Sequence, residues 1–394
     1  MYILTKETVI IRMMVKNSLL KYLQSIHFGR LTLELPDQTI HQFGNNGPEA
    51  FLKINNYKAI SLIISKGNVG FAEGYIYNYW QTDNLLNLYH IFAGNLSSFS
   101  ELLSKKSLGK YINIIKHFFN QNTKIGSKKN IHAHYDLGNN FFKEWLDETF
   151  TYSSAKFNSD AEELSSAQKN KYQSILDKLN LPSGSKILEI GCGWGGFIEH
   201  ASEQGHQVVG LTISNEQLDY AKQRNAKYRD SKILFEDYRD HHGEYDAVVS
   251  IEMFEAVGSK YWQTFTDKIA ALMKKNSSSV IQTITIRDEL LDEYLSNADF
   301  IQTYIFPGGE LISPNRFEDI AKKSSLTLSE IDDFGYDYAK TLEIWYQKFN
   351  QKWNSINKLG FDEKFKKIWD TYLAYCRGGF LTKRISVSQF VFKN

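Results

Sequence analysis

Three glycines, Gly191, Gly193 and Gly196, lie where a ligand could be gripped by backbone alone. They follow the apolar run Lys186-Ile-Leu-Glu-Ile190 and precede a helical pattern from Phe197 to Gln204. A glycine-rich turn between strand and helix lets the main chain approach a ligand and aims unsatisfied N–H groups at it. The spacing also fits the dinucleotide fingerprint Gly-x-Gly-x-x-Gly, which requires an acid about 20 residues further on to hold a ribose. Here the second strand ends Leu211-Thr-Ile-Ser214, and the nearest acid, Glu216, falls in the next helix. A nicotinamide-dependent dehydrogenase therefore loses ground, and a tight turn without ligand is the bland alternative. Other chemistries find little support. The histidines pair as His132/His134, His200/His206 and His241/His242 without a consistent carboxylate or thiol partner, so no metal site is expected. No Gly-x-Ser-x-Gly elbow is present, which argues against covalent hydrolase chemistry. Two cysteines, Cys192 and Cys376, cannot frame a disulfide-rich fold and fit a reducing compartment.

The elements that must position this turn read as strands alternating with helices. After the turn come Gln207-Val-Val-Gly-Leu-Thr-Ile213, a helix from Asn215 through Arg224, Ile233-Leu-Phe235, Tyr245-Asp-Ala-Val-Val-Ser-Ile251 and Val280-Ile-Gln-Thr-Ile-Thr-Ile286. This rhythm means βαβ units, hence an α/β fold with a parallel sheet and helices on both faces. The first hundred residues carry shorter alternating pieces, Leu31-Thr-Leu-Glu-Leu35 and Ala59-Ile-Ser-Leu-Ile-Ile64, around a Gly44-Asn-Asn-Gly47 turn, and read as a small α+β domain. Between Ser104 and Asn130 seven lysines occur without an acid, while Leu108, Ile112, Ile115 and Phe119 recur at helical spacing. That pattern predicts a basic amphipathic helix and linker, serving as an inter-domain connector, a membrane-surface contact or both. The expected domains are 1–120 and 121–394, the basic segment covering about 104–130.

With 46 Lys plus Arg against 45 Asp plus Glu in 394 residues, no global field draws the protein to nucleic acid. Aromatic residues make up 14%, enough to line an apolar pocket as well as fill cores. The apolar stretch Met1–Leu20 is interrupted by Lys6, Glu7 and Arg12 and reads poorly as a signal peptide. No later run reaches the roughly 18 apolar residues of a spanning helix.

Glu189-Ile-Gly-Cys-Gly-Trp-Gly-Gly196, Gly210-Leu-Thr-Ile-Ser-Asn-Glu-Gln217, Asp237-Tyr-Arg-Asp240 and Met253-Phe-Glu-Ala-Val-Gly258 form an ordered series. It continues outside the nucleotide fold with His134-Tyr-Asp-Leu-Gly-Asn-Asn-Phe-Phe142, Tyr152-Ser-Ser154, Tyr304-Ile-Phe-Pro-Gly-Gly309, Ile344-Trp-Tyr346 and Gly378-Gly-Phe380. The series resembles the cyclopropane-fatty-acyl-phospholipid synthase family, relatives of the mycolic acid cyclopropane synthases, over about residues 130 to 394. The resemblance implies a class I methyltransferase (Rossmann-like) sheet that uses S-adenosylmethionine. Its cofactor contacts would be Tyr152, Ser153, Gly191, Gly193, Thr212 and Gln217, with Asp237 or Tyr238 near the adenine. The implied substrate is the double bond of a membrane phospholipid acyl chain, reached by peripheral contact of a cytoplasmic protein with an anionic bilayer; a homodimer is also implied. An alkene needs no deprotonated nucleophile, only a methyl donor held in line and a pocket without water around the cation that forms. Phe141, Phe142, Tyr304, Phe306, Trp345 and Tyr346 are candidate walls, since π faces stabilise cations.

Ring closure requires a base, and in the resembling family this is a bicarbonate held by a Glu, a His, a Tyr and backbone beside a Cys. The corresponding residues here are Glu255, Gln282, Tyr346 and Ser154. Gln282 stands in place of His and Ser154 in place of Cys; Gln282 can donate a hydrogen bond but cannot titrate. Methyl transfer is therefore expected, with three outcomes open: a cyclopropane, a methyl-branched or methylene chain, or a non-catalytic lipid-binding relative.

Overall fold

The computed structural model describes residues 16–98 and 137–394. The lysine-rich segment 104–130, His132, His134 and most of Met1–Leu20 lie outside the described residues. Contacts divide the chain into two compact units. One comprises Met1–His132, Ser296–Pro307 and Gly360–Thr382, the other Ala133–Leu295, Gly308–Leu359 and Lys383–Asn394.

The first unit is built on a four-stranded sheet of β1 (Gly29–Glu34), β2 (Ile40–Asn46), β3 (Glu49–Ile54) and β4 (Trp80–Thr82) in the order β2-β1-β3-β4. β1 and β3 run parallel, and the outer pairs are antiparallel. Leu31 and Leu33 of β1 and Leu52 and Ile54 of β3 alternate inward and are buried, the period-2 signature of a sheet covered on one face. The run Ala59–Ile64, read above as an alternating piece, is instead the start of a helix, Lys58–Ile76. Asn56 Oδ1 accepts from Lys58 N–H at its entry, and Ala59 and Ile60 are buried side by side, which helical rather than alternating geometry provides. The later helix Glu363–Leu381 packs on Leu85–Gly94 in this same unit. Gly378 permits that approach: a Cβ there would stand 3.1 Å from the carbonyl oxygen of Tyr89.

The second unit carries the expected α/β sheet. Its strands are β5 (Lys186–Ile190), β6 (Gln207–Thr212), β7 (Lys232–Phe235), β8 (Tyr245–Ile251), β9 (Met273–Ile286), β10 (Thr327–Asp333) and β11 (Ile385–Lys393), ordered β10-β11-β9-β8-β5-β6-β7. β5 to β9 are mutually parallel, and β11 runs antiparallel to both β9 and β10. Successive residues feed opposite cores. Leu188, Val209 and Val248 join Phe265 and Ile269 on one face, while Ile187, Val208, Ala247 and Val249 join Ile175, Phe197 and Ile198 on the other. Burial on both faces is why these strands read as continuous apolar runs. The sheet is thus a rigid platform whose parallel strands all deliver their carboxyl ends to one edge, the edge where ligands bind in open α/β sheets.

Candidate active site

At that edge the chain leaves β5 through Gly191 and Gly193, at φ +78° and +51°. Both are in the left-handed region that L side chains adopt only with strain. The N–H groups of Gly191 and Cys192 both donate to Leu211 O, at 3.0 and 2.9 Å, which pins the turn against β6. The helix Gly196–Glu203 starts directly behind it. At the end of β6, Ser214 caps the helix Asn215–Arg224 by accepting from Gln217 N–H, and Thr212 Oγ1 donates to Gln217 Oε1 at 3.1 Å. Capping thereby fixes the amide of Gln217 and the hydroxyl of Thr212 beside the cleft.

These ends surround a cleft of about 720 Å³, within the range of small-molecule sites. All eight residues expected to contact the cofactor border it: Tyr152, Ser153, Gly191, Gly193, Thr212, Gln217, Asp237 and Tyr238. Asp237 is paired with Arg239 at 2.6 Å, whose hydrogen bond holds the carboxyl below its ordinary range. Ser153 is anchored from below, its Oγ accepting from the wholly buried Lys171 at 2.6 Å and its carbonyl from Gln168 at 2.8 Å. Phe142, Phe150 and Trp194 form an aromatic wall, with ring centroids 4.4 to 5.2 Å apart. Trp194 Nε1 donates to Asn139 Oδ1 at 2.7 Å, holding the helix Gly138–Trp145 against the turn.

The candidate catalytic residues are distributed differently from expectation. Ser154 N–H and Gln282 Nε2 do converge on a carboxylate, both at 2.8 Å, but it is that of Glu252. The third donor is Tyr338 Oη, 2.7 Å from Glu252 Oε2. Tyr346, two turns further along the same helix Gly335–Gln351, is not among these donors. Glu255 turns elsewhere: its Oε1 accepts from Thr283 Oγ1 at 3.0 Å and from Ile284 N–H, and its buried Oε2 meets no hydrogen-bond donor among the described residues. Burial and the charge of Glu252 push the Glu255 carboxyl up to about 8. Tyr304 lies in the first unit, where its hydroxyl donates to Glu73 at 2.9 Å. Of the other candidate walls, Phe142 borders the cleft, Phe141 and Trp345 are wholly buried core, and Phe306 belongs to the first unit.

Sequence reasoning missed three groups that the structure brings to the cleft or directly beneath it. Glu189, next to last in β5, is a buried carboxyl pushed up to about 8 by desolvation, with one oxygen lacking a hydrogen-bond partner among the described residues. Lys171 is lowered to about 7 by burial, against the attraction of Glu252, Asp147 and Glu189. Glu252 itself sits on the cleft wall with φ +49°. The available signal was its place directly after the last residue of β8. Among the described residues no group of three or more His, Cys, Asp or Glu side chains is placed to hold a metal. His241 instead bonds Glu236 and Tyr245, and His200 bonds Gln173.

Known proteins resemble this chain over most of its length. Residues 122–390 match the family model described as mycolic acid cyclopropane synthetase. The chain is 34% identical to tuberculostearic acid methyltransferase of Mycobacterium tuberculosis over 338 residues, 82% of this chain and 78% of that one. It is 32% identical to cyclopropane-fatty-acyl-phospholipid synthase of Escherichia coli over 362 residues, 88% and 89% of the respective lengths. A solved mycolic acid cyclopropane synthase in complex with SAH and CTAB superposes with a TM-score of 0.62 at 31% identity, covering 67% of this chain and 97% of that one. S-adenosylmethionine fits the cleft here. The volume suffices, the left-handed glycines leave the backbone bare, and Thr212, Gln217 and Asp237 offer hydrogen-bonding groups for its polar ends.

Proposed function

We propose, because this chain belongs to the mycolic acid cyclopropane synthetase family, that it alkylates the double bond of an unsaturated phospholipid acyl chain. It is an S-adenosylmethionine-dependent methyltransferase. The cofactor supplies an electrophilic methyl on a sulfonium; the chain's own residues hold it at the strand ends, exclude water and dispose of a proton. The observation that carries the reading is the cleft itself, where the glycine turn and the Phe142–Trp194 wall meet the hydrogen-bonded carboxylate of Glu252 on the cleft wall. A π bond needs no activating base before attack, whereas the cation formed after attack requires one, and aromatic faces stabilise that cation meanwhile.

Ring closure to a cyclopropane is the leading product. A second reading, loss of a proton from a neighbouring chain carbon to give a methyl-branched or methylene chain, is favoured by one observation. Gln282 cannot titrate, and Gln282 and Ser154 N–H, two of the groups expected to hold bicarbonate, already donate to Glu252. Among the described residues no helix is long and apolar enough to cross a membrane. The lysines of 104–130 support peripheral docking on an anionic bilayer, from which the acyl chain is drawn.

The test is mass spectrometry of phospholipid acyl chains from cells making this protein and fed methyl-labelled methionine, with ozonolysis of the products. A labelled CH₂ gain with the double bond lost is expected for ring closure. The same gain with an ozone-cleavable bond identifies the second product. Lipids without label, from folded protein that binds S-adenosylhomocysteine, refute the proposed substrate.

A further inference from the structure

Three elements distant in sequence reach one side chain beside the cleft. Ser154 N–H comes from a loop locked to the helix Gly335–Gln351 by a hydrogen bond from Ala155 N–H to Thr341 Oγ1. Gln282 comes from β9 and Tyr338 from that same helix. All three point donors at Glu252. Gln282 has no freedom in this: opposite it in register on β11, Gln389 donates to its Oε1 at 3.1 Å, which leaves its Nε2 for Glu252.

We propose that Glu252 is the general base of the reaction, a carboxylate built into the chain that removes the proton left after methyl transfer and makes an added bicarbonate unnecessary. The proposal rests on the function proposed above. Four observations carry it. Glu252 borders the cofactor cleft, alongside Gly191, Tyr152 and Met253. Its backbone is held at φ +49°, a strained conformation for a non-glycine residue that persists where the surroundings over-determine it. Its Oε1 accepts two hydrogen bonds but Oε2 only one, which leaves a lone pair on Oε2 for a proton. Burial raises its proton affinity above that of an ordinary Glu, against the hydrogen bond from Tyr338 and the charge of Lys171. Glu255, by contrast, is not among the residues bordering the cleft, and its Oε1 is taken by Thr283 and Ile284.

The step balances without an external oxidant or reductant. The alkene π pair forms the bond to the methyl carbon while the S–C bond breaks and leaves its pair on sulfur. The positive charge then rests on the adjacent chain carbon. Glu252 takes a proton either from the added methyl, whose C–H pair closes the ring, or from a flanking carbon, whose pair becomes a new double bond. Glu252 ends as the carboxylic acid and returns its proton to water when the cleft opens to products.

The experiment measures transfer of labelled methyl to vesicles of monounsaturated phosphatidylethanolamine and phosphatidylglycerol, in carbon-dioxide-free buffer and with added bicarbonate. The wild type is expected to turn over equally in both. Glu252→Gln should lower kcat about 100-fold or more, the scale of a lost general base, while S-adenosylhomocysteine still raises its melting temperature. Glu252→Gly, which vacates the carboxylate site, should regain activity with bicarbonate or formate. Wild-type activity that falls at least tenfold without bicarbonate overturns the proposal, as does a Glu252→Gln variant within threefold of wild type. Wild-type protein that binds S-adenosylhomocysteine yet labels no lipid overturns the underlying function instead, and the proposal with it.

Discussion

Replacing Gly191 and Gly193 by alanine, one at a time, separates what the turn does for the fold from what it does for the ligand. Both glycines have positive φ, so alanine at either should cost about 1–2 kcal/mol of backbone strain. Their surroundings differ. A Cβ on Gly191 would stand 2.6 Å from Met253 Cγ and 2.9 Å from Met253 Cβ, whereas a Cβ on Gly193 meets nothing within 4 Å. The Cγ can swing away, but the Cβ moves only with its backbone, so Gly191→Ala carries a further overpacking cost of about 1–3 kcal/mol. At 2–4 °C per kcal/mol for a unit of this size, Gly193→Ala should melt a few degrees low and Gly191→Ala roughly 5–15 °C low. Saturation with S-adenosylhomocysteine should narrow the difference. The new methyl of Gly193→Ala occupies open space on the cleft border, so a tenfold weaker affinity would remove about 1.4 kcal/mol of ligand-induced stabilisation. Differential scanning fluorimetry with and without ligand reads both quantities. The reasoning fails if Gly193→Ala is the less stable apo protein, or if it keeps the full ligand-induced rise.

Two further outcomes are expected. Glu255 ordinarily titrates near 4.5 and is pushed up to about 8 in the fold, so between those values the folded state holds a proton the unfolded state has lost. Stability from this site is then complete below about pH 4.5 and is lost as pH rises through about 8, at roughly 1 kcal/mol per pH unit. The melting temperature of Glu255→Gln should therefore decline less from pH 5 to 8 than that of the wild type, and parallel curves would refute the shift. Tyr304→Phe removes a donor from Glu73, which keeps Lys66 at 2.7 Å. It should cost about 1 kcal/mol in denaturant unfolding with unchanged S-adenosylhomocysteine affinity by calorimetry, and a tenfold change in affinity would return Tyr304 to the active site.

The cofactor cleft was legible because its determinants are local. Each parallel strand is apolar on both faces, the turn between β5 and its helix needs glycine, and Ser214 caps the next helix within three residues. The base was not legible because nothing local marks it. Glu252 and Glu255 lie three residues apart on one bend, and only the positive φ of Glu252, Gln282 on β9 and Tyr338 on a distant helix decide between them. Tyr338 and Tyr346 differ by two helical turns, so spacing alone places them on the same side of the helix. Ala59–Ile64 failed for a different reason: a short apolar run has no period of its own, and what settles it as helix is the turn that Asn56 closes at its entry and the burial of adjacent residues.

The placement of β11 has a consequence for how activity is acquired during synthesis. This strand is hydrogen-bonded to β9 on one side and β10 on the other, yet it is translated after every other strand of the sheet. The ribosome can release β5 to β8, with the glycine turn formed, while β9 still presents a bare edge. Such a nascent chain could already recognise the methyl donor, but Gln282 would lack the Gln389 contact that orients it toward Glu252. Recognition of the donor and competence to finish the reaction would thus arise at different moments of translation. The long sequence separation between β9 and β11 makes the second a slow, loop-closing event.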